Sequence, residues 1–446
     1  MTDSTKRIGL WSAAALVVGH TIGVGIFLTP AQLIGALASP ALTLALWIVG
    51  GLLVLAGAWT YGELAARYPR SGGTYVYLSE AFGRRAGFLY GWQAMLVMDP
   101  GIVAALAVGL AQYAGVLSPT AAGHRRAVAL AVIWGLALVN MTGLRPSVLV
   151  QNLLTAFKLL ALAAIVGTAF LAGRGSWANL EPFAARRPGA PALSVALGLG
   201  FISVFYSFGG FWEASRVTGE VRDGARTLPR ALALGVAVVT VSYVAVTAAF
   251  LYLVPIGAAP TAADLARLAG RAMLGPSGPA VLSAVVVVSV LGSAMALVLM
   301  APRVYVAMAE DGLFPPALGA TSPRTGAPVR ATALLAVIAS GLVLTGSFDQ
   351  IVAFFLGTAL VFVGLAAAGL FAARRRRPAS PSFAVPGFPL TTLLFLLFLA
   401  AAVLAMALAR PLQVLAGFAL VLLGVPAQAL LAPRRRDGAV TKGAPR

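Results

Sequence analysis

The groups able to do chemistry in this sequence are main-chain groups and a few charges set in apolar surroundings. Gly19-His20-Thr21-Ile22-Gly23-Val24-Gly25-Ile26-Phe27 places three glycines within seven residues. Each glycine weakens a helix by about 1 kcal/mol relative to alanine. Tyr206-Ser207-Phe208-Gly209-Gly210-Phe211-Trp212-Glu213 carries a second break of the same kind. A broken helix frees N–H groups at the start of its second half, which suit a carboxylate. It also frees carbonyls at the end of its first half, which suit an ammonium group. A site with both is built for a zwitterion. Glycines in membrane helices also serve close packing against a neighbour, so the two places need a positional argument as well.

Three ionisable residues fall inside apolar runs. Lys158 lies about twelve positions from either end of the run 146–173, which makes snorkelling of its stem to an interface the lesser reading. A charge at such a depth costs about 3 kcal/mol on insertion scales, and an amine held out of water is a group that can exchange a proton. Asp99, before Pro100, has three readings: it recognises a cationic side chain, pairs with Lys158, or makes a structural hydrogen bond. His20 sits within the first break and reads as a structural hydrogen-bonding group or a proton sensor. Glu63 and Glu220 stand near arginines at the ends of apolar runs, where ion pairs that gate or brace the fold are expected.

The elements that must position these groups are membrane helices. The chain has 446 residues, 60% hydrophobic and 10% charged, with a mean hydropathy of +0.93. A soluble domain carries about 25% charged residues, so this composition cannot supply a wetted surface for several hundred residues. Apolar stretches continue to residue 433, which makes the first a true span rather than a signal peptide. Counting runs of ~20 apolar residues gives twelve spans, near 9–36, 41–66, 87–117, 127–143, 147–172, 193–217, 230–254, 279–308, 330–346, 350–373, 388–409 and 411–431. Residues 8–62 hold no charge, and Ser39-Pro40 divides them. With both termini cytoplasmic, 23 of the 32 basic residues fall in the even loops and tails, 8 in the odd loops, and Lys158 in a span. That bias sets the orientation and accounts for the net charge of +19 without nucleic acid. Arg434-Arg435-Arg436 is a stop-transfer anchor or a contact with anionic lipid.

The breaks lie in spans 1 and 6, five spans apart, as expected of two five-span repeats of inverted topology with substrate bound where the broken helices meet. The predicted organisation is a tail 1–8, a first repeat 9–172, a second repeat 193–373, spans 11 and 12 over 388–431, and a tail 432–446. Gly19 to Pro30 reads G-x-x-I-G-x-G-I-F-x-x-P. Tyr68-Pro69-Arg70-Ser71-Gly72-Gly73-Thr74-Tyr75, Gly219-Glu220 with Leu228-Pro229-Arg230, and Pro302-Arg303-Val304-Tyr305 with Asp311-Gly312-Leu313-Phe314-Pro315 stand after spans 2, 6 and 8. Together these segments resemble the amino acid–polyamine–organocation (APC) transporter superfamily over spans 1–10, and Phe208-Gly209-Gly210-Phe211 is similar to the aromatic-Gly-Gly-aromatic run of its L-type exchangers.

The resemblance implies an all-α, LeuT-type 5+5 inverted repeat with helices 1 and 6 broken. It implies a substrate site over Thr21, Ile22, Gly23, Val24 and Gly25 with Tyr206, Phe208, Gly209 and Gly210. Its carboxylate would meet the N–H groups of Gly23, Val24 and Gly25, and its amino group the carbonyls of Thr21, Tyr206 and Gly209. Tyr206 and Phe208 would be aromatic lids. Lys158 would occupy the place of a bound cation, touching the Gly19 carbonyl and a span-8 hydroxyl, Ser289 or Ser293. Trp212 stands where many relatives have an acid or amide, so a role for Glu213 does not transfer directly.

The function expected is a secondary carrier of an L-amino acid, neutral from the apolar pocket, in a bacterial cytoplasmic membrane. Proton-coupled symport through Lys158 leads; sodium-independent exchange, amine or polyamine transport, and a transporter-like sensor are the alternatives. No cofactor, metal or enzymatic activity is expected. The chain has no cysteine and two histidines, which removes thiolate chemistry and leaves no convergent catalytic kit. It has no phosphate-binding G-x-x-x-x-G-K-[ST] loop, and no ring of charges suited to a channel filter. The amino acid, the proton and membrane lipid are the partners; oligomeric state is left open.

Overall fold

The computed structural model describes residues 8–23, 25–258, 262–345, 348–376, 381–409 and 411–431. Val24, the tails and Arg434-Arg435-Arg436 lie outside them. The described residues form helices and short connections: α1 (Leu10–Thr21), α2 (Gly25–Leu37), α3 (Pro40–Arg67), α4 (Thr74–Phe82), α5 (Arg84–Gln93), a π-turn over Ala94–Met98 and α6 (Asp99–Leu117). Next come the short α7 (Pro119–Gly123), α8 (Arg125–Met141), α9 (Leu144–Leu171), α10 (Leu193–Phe208), a 3-10 segment over Phe211–Glu220 and α11 (Gly224–Leu253). The remainder is α12 (Ala262–Leu274), α13 (Gly278–Met300), α14 (Pro302–Glu310), the short α15 (Pro316–Gly319), α16 (Val329–Thr345), α17 (Phe348–Arg376), α18 (Leu390–Ala409) and α19 (Pro411–Leu431). Among the described residues, eight helical runs are long and apolar enough to cross a membrane, nine with α1–α2 counted as one span bent by 51°. Ser39-Pro40 is a helix start, with Ser39 as N-cap and Pro40 in the first turn, where its missing N–H costs nothing.

Surface chemistry matches lipid rather than water. On α9, Leu149, Leu153, Phe157 and Leu160 recur every three or four residues and are exposed. The opposite face, with Ser147, Gln151, Thr155 and Lys158, is buried. The helix is amphipathic with its polar stripe turned inward, the arrangement required where the solvent is hydrocarbon. α1 packs against α9, α11 and α13, while α10 packs against α2 and α3. This holds both glycine breaks inside the bundle. The connection between the expected spans 230–254 and 279–308 holds a helix: in α12, Leu265, Ala269 and Met273 recur every four residues and bury one face, beside Arg267 and Arg271.

Candidate functional site

The last turn of α1 leaves carbonyls without partners within the helix, and the partial negative charge there calls for a cation. Lys158 answers it. Its Nζ donates to the Gly19 carbonyl at 2.7 Å, to the Ile22 carbonyl, and to Ser293 Oγ at 3.1 Å, so all three ammonium protons have acceptors. Ser293 Oγ lies 3.0 and 2.9 Å from the same two carbonyls, and its single proton donates to one of them. The expected span-8 partner is therefore Ser293. Ser289, the alternative partner, makes no such contact: its hydroxyl has no partner, and its carbonyl lies 3.3 Å from Ser293 Oγ. His20 Nδ1 lies 3.2 Å from the Ser293 carbonyl, a structural bond that ties the same turn to α13.

The second break begins where α10 ends at Phe208. Gly210 has φ +103°, and a Cβ there would lie 2.2 Å from His20 Cδ2; both the backbone region and the space require glycine. At the start of α2, a Cβ on Gly25 would lie 2.9 Å from Ser207 Oγ and 3.0 Å from Ser207 Cα. Thr29 Oγ1 and Ser207 Oγ are 2.7 Å apart, and the Tyr243 hydroxyl reaches the carbonyls of Thr21 and Ser207 at 2.9 and 2.7 Å. The two breaks are thus locked together side by side.

Between them is a cavity of about 100 Å³, lined by His20, Thr21, Gly23 and Gly25 from the first break and by Tyr206, Ser207, Gly209, Gly210, Trp212 and Glu213 from the second. Ser293 joins them, and Met98, Ile102, Leu106, Phe355 and Leu356 supply an apolar wall. Phe208 is not part of the lining. Its ring packs on Trp47 and Tyr243 at centroid distances of 6.0 and 5.2 Å, because two residues along a helix turn a side chain to nearly the opposite face. Ile22 is fully buried and serves through its carbonyl on Lys158. Gly19 and Lys158 stand behind the cavity rather than at its wall.

Asp99 pairs with Arg216 and not with Lys158. Arg216 Nη1 donates to both Asp99 oxygens at 2.9 Å, Nη2 to Tyr90 Oη at 2.9 Å, and Tyr305 Oη donates to Asp99 Oδ2 at 3.0 Å. Glu213 lies against Nε of the same guanidinium. Arg216, at the end of the expected span 193–217, is a buried ionic hub to which the sequence alone assigns no role; Glu213 three residues before it and Asp99 within an apolar run are the signals that bear on it. Farther from the cavity, Glu63 pairs with Arg67 at 2.8 Å and with Arg374 at its other edge. Glu220 pairs with Arg303 at 3.1 Å. Tyr75 donates to Asp311 at 2.6 Å; burial and the adjacent carboxylate push its phenol above the usual range, so it remains a donor. Among the described residues, no cluster of histidines and carboxylates could hold a metal ion.

The family model described as amino acid permease matches residues 8–425. Among curated relatives, the serine/threonine exchanger SteT of Bacillus subtilis is 27% identical over 393 residues, 87% of this chain and 88% of that protein. The b(0,+)-type amino acid transporter 1 of Mus musculus is 28% identical over 407 residues, 89% of this chain and 82% of its own. The large neutral amino acids transporter small subunit 2 of Homo sapiens is 29% identical over 430 residues, 94% and 79% respectively.

Proposed function

We propose, because this chain belongs to the amino acid permease family, that it is a sodium-independent carrier exchanging L-amino acids across a cell membrane. It is a transporter of the APC superfamily and not an enzyme. The carrying observation is the cavity where Thr21, Gly23 and Gly25 meet Tyr206, Gly209 and Gly210, main-chain groups of both signs at two helix breaks. The substrate carboxylate sits at the start of α2, beside Gly25; the Gly23 N–H turns back onto the Thr21 carbonyl at 2.9 Å and becomes available to the carboxylate when that turn opens. The substrate's amino group sits on the carbonyls of Tyr206 and Gly209, since the Thr21 carbonyl already accepts from the Gly23 N–H and the Tyr243 hydroxyl, both at 2.9 Å. Tyr206 closes over it. The reading includes twelve spans, two inverted five-helix halves and cytoplasmic termini.

Exchange is preferred to proton symport because Lys158 has every proton engaged. Losing one would leave a buried carbonyl or hydroxyl unpaired. A fixed ammonium in the place of a cation explains sodium independence and ties α1 to α9 and α13. The similarity to an exchanger points the same way. The test is uptake of radiolabelled amino acids by proteoliposomes, with and without sodium, a pH gradient and internal amino acid. Sodium-free uptake that needs internal substrate supports exchange; uptake driven by a pH gradient into empty vesicles replaces it with symport.

A further inference from the structure

At the end of the bundle that carries Glu63, α17 finishes on a row of arginines, and a groove of about 800 Å³ opens between it and the segment leading into α18. Its walls include Phe371, Arg374, Arg375 and Arg376 of α17 and Phe388 ahead of α18, and among the described residues no acid lines it. The two rings pack at a centroid distance of 4.9 Å, and the Arg374 guanidinium lies 3.8 Å from the centre of the Phe388 ring. Arg374 is engaged by Glu63, which also holds Arg67 at 2.8 Å and accepts from the Val385 N–H at 2.7 Å. These contacts brace one side of the groove. The other two arginines are exposed. Arg376 gives one N–H to the Glu80 carbonyl at 2.7 Å, a neutral group, so its charge stays unbalanced. Arg375 has no partner among the described residues.

Apolar stripes run along both helices towards these arginines. On α17, Leu365, Ala368, Ala372 and Arg375 recur every three or four residues and share one face, with Leu365 exposed. On α18, Leu390, Leu394 and Leu397 repeat in the same way and are exposed. Two aromatic rings stand at the boundary between leucines and arginines, the depth that aromatic side chains favour in membrane proteins. We propose that this groove binds an anionic phospholipid, with its phosphate on the guanidiniums of Arg375 and Arg376 and its acyl chains along α17 and α18. Guanidinium forks match phosphate oxygens in pairs, and basic pockets between membrane helices take anionic headgroups. A zwitterionic lipid brings the same phosphate together with an ammonium that the arginines repel. A free phosphate has no chains and gains nothing from the leucines. The groove shares no lining residue with the cavity between the two breaks.

The test is native mass spectrometry of the purified protein in detergent micelles doped with phosphatidylglycerol or phosphatidylcholine, together with melting temperatures in each lipid and in inorganic phosphate. Wild type is expected to bind phosphatidylglycerol at least ten-fold more tightly than phosphatidylcholine, and to gain melting temperature from it but not from phosphate. An arginine beside an anionic headgroup contributes about five-fold, so joint replacement Arg375→Gln and Arg376→Gln is expected to weaken phosphatidylglycerol binding at least ten-fold. Both side chains are exposed, so the lipid-free melting temperature should stay near wild type. Arg375→Glu alone, which repels the headgroup, should weaken binding more than Arg375→Gln does. Glutamine at Arg434, Arg435 and Arg436 together should leave binding within two-fold. Equal affinity for the two lipids in wild type overturns the proposal, as does unchanged binding in the double variant. Loss of binding in the tail variant instead moves the lipid to the tail and overturns it too. Protection by inorganic phosphate equal to that by phosphatidylglycerol replaces the lipid with a soluble anion. None of these readouts involves transport, so the groove and the exchange reading fail separately.

Discussion

Replacing Lys158 by methionine removes the ammonium while keeping the length of the stem. In the wild type the Gly19 and Ile22 carbonyls share three donors, two from Lys158 and one from Ser293 Oγ. In the variant only the serine proton remains, and it can serve one carbonyl. The other is left buried without a partner, a cost of about 1–3 kcal/mol. This penalty applies to the state in which α1 is packed on α9 and α13, so it shifts the balance between inward- and outward-facing forms by roughly 5- to 150-fold. Removing the charge also removes its burial cost, so overall stability changes less than the conformational balance. The expected result is exchange slowed at least ten-fold in proteoliposomes, with substrate still bound in detergent and a melting temperature close to wild type. Exchange within two-fold of wild type would refute the assignment of Lys158 as the tie between the broken helix and its neighbours.

Gly25→Val should insert and fold but lose substrate binding, since its Cβ would fall within 3.0 Å of Ser207 and its branches would crowd the N–H groups of the break; binding measured by thermal shift checks it. Tyr206→Ala should lose most transport and Tyr206→Phe little, because ring area rather than the hydroxyl closes the cavity; equal losses would contradict this. Ser293→Ala should slow exchange several-fold and Ser289→Ala leave it near wild type, read from initial rates. Arg216→Met would strand the Asp99 and Glu213 carboxylates in the interior, at about 3–5 kcal/mol, and should lower the melting temperature far more than Lys158→Met does.

The glycine breaks and the lysine were legible because they violate their surroundings. A helix former gives way at Gly23 and Gly25, and a charge stands in an apolar run at Lys158. Which groups the lysine meets was half legible. Ser289 and Ser293 are four residues apart on one face of α13, and only their depth, a full turn different, decides between them. Phe208 packs on Trp47 and Tyr243 rather than beside Tyr206, as the two positions between them on a helix lead one to expect. Arg216 was hidden for another reason: at the end of an apolar run, beside further arginines, a buried guanidinium and a solvated one have the same sequence surroundings. Besides Glu213 three residues before it, the partners that distinguish them are Asp99 and Tyr305, more than 80 positions away in either direction. α12 gives little signal in the sequence because two arginines and an aspartate interrupt its short apolar stripe.

The measurement that bears most directly on a zwitterion site between the two breaks, with an ammonium in a cation's place, is amino acid exchange in sodium-free proteoliposomes. Labelled amino acid should enter when the lumen holds unlabelled amino acid, at the same rate with or without sodium, and hardly at all into empty vesicles. An absolute requirement for sodium would contradict the account at its centre, because Lys158 would then not stand where the cation belongs.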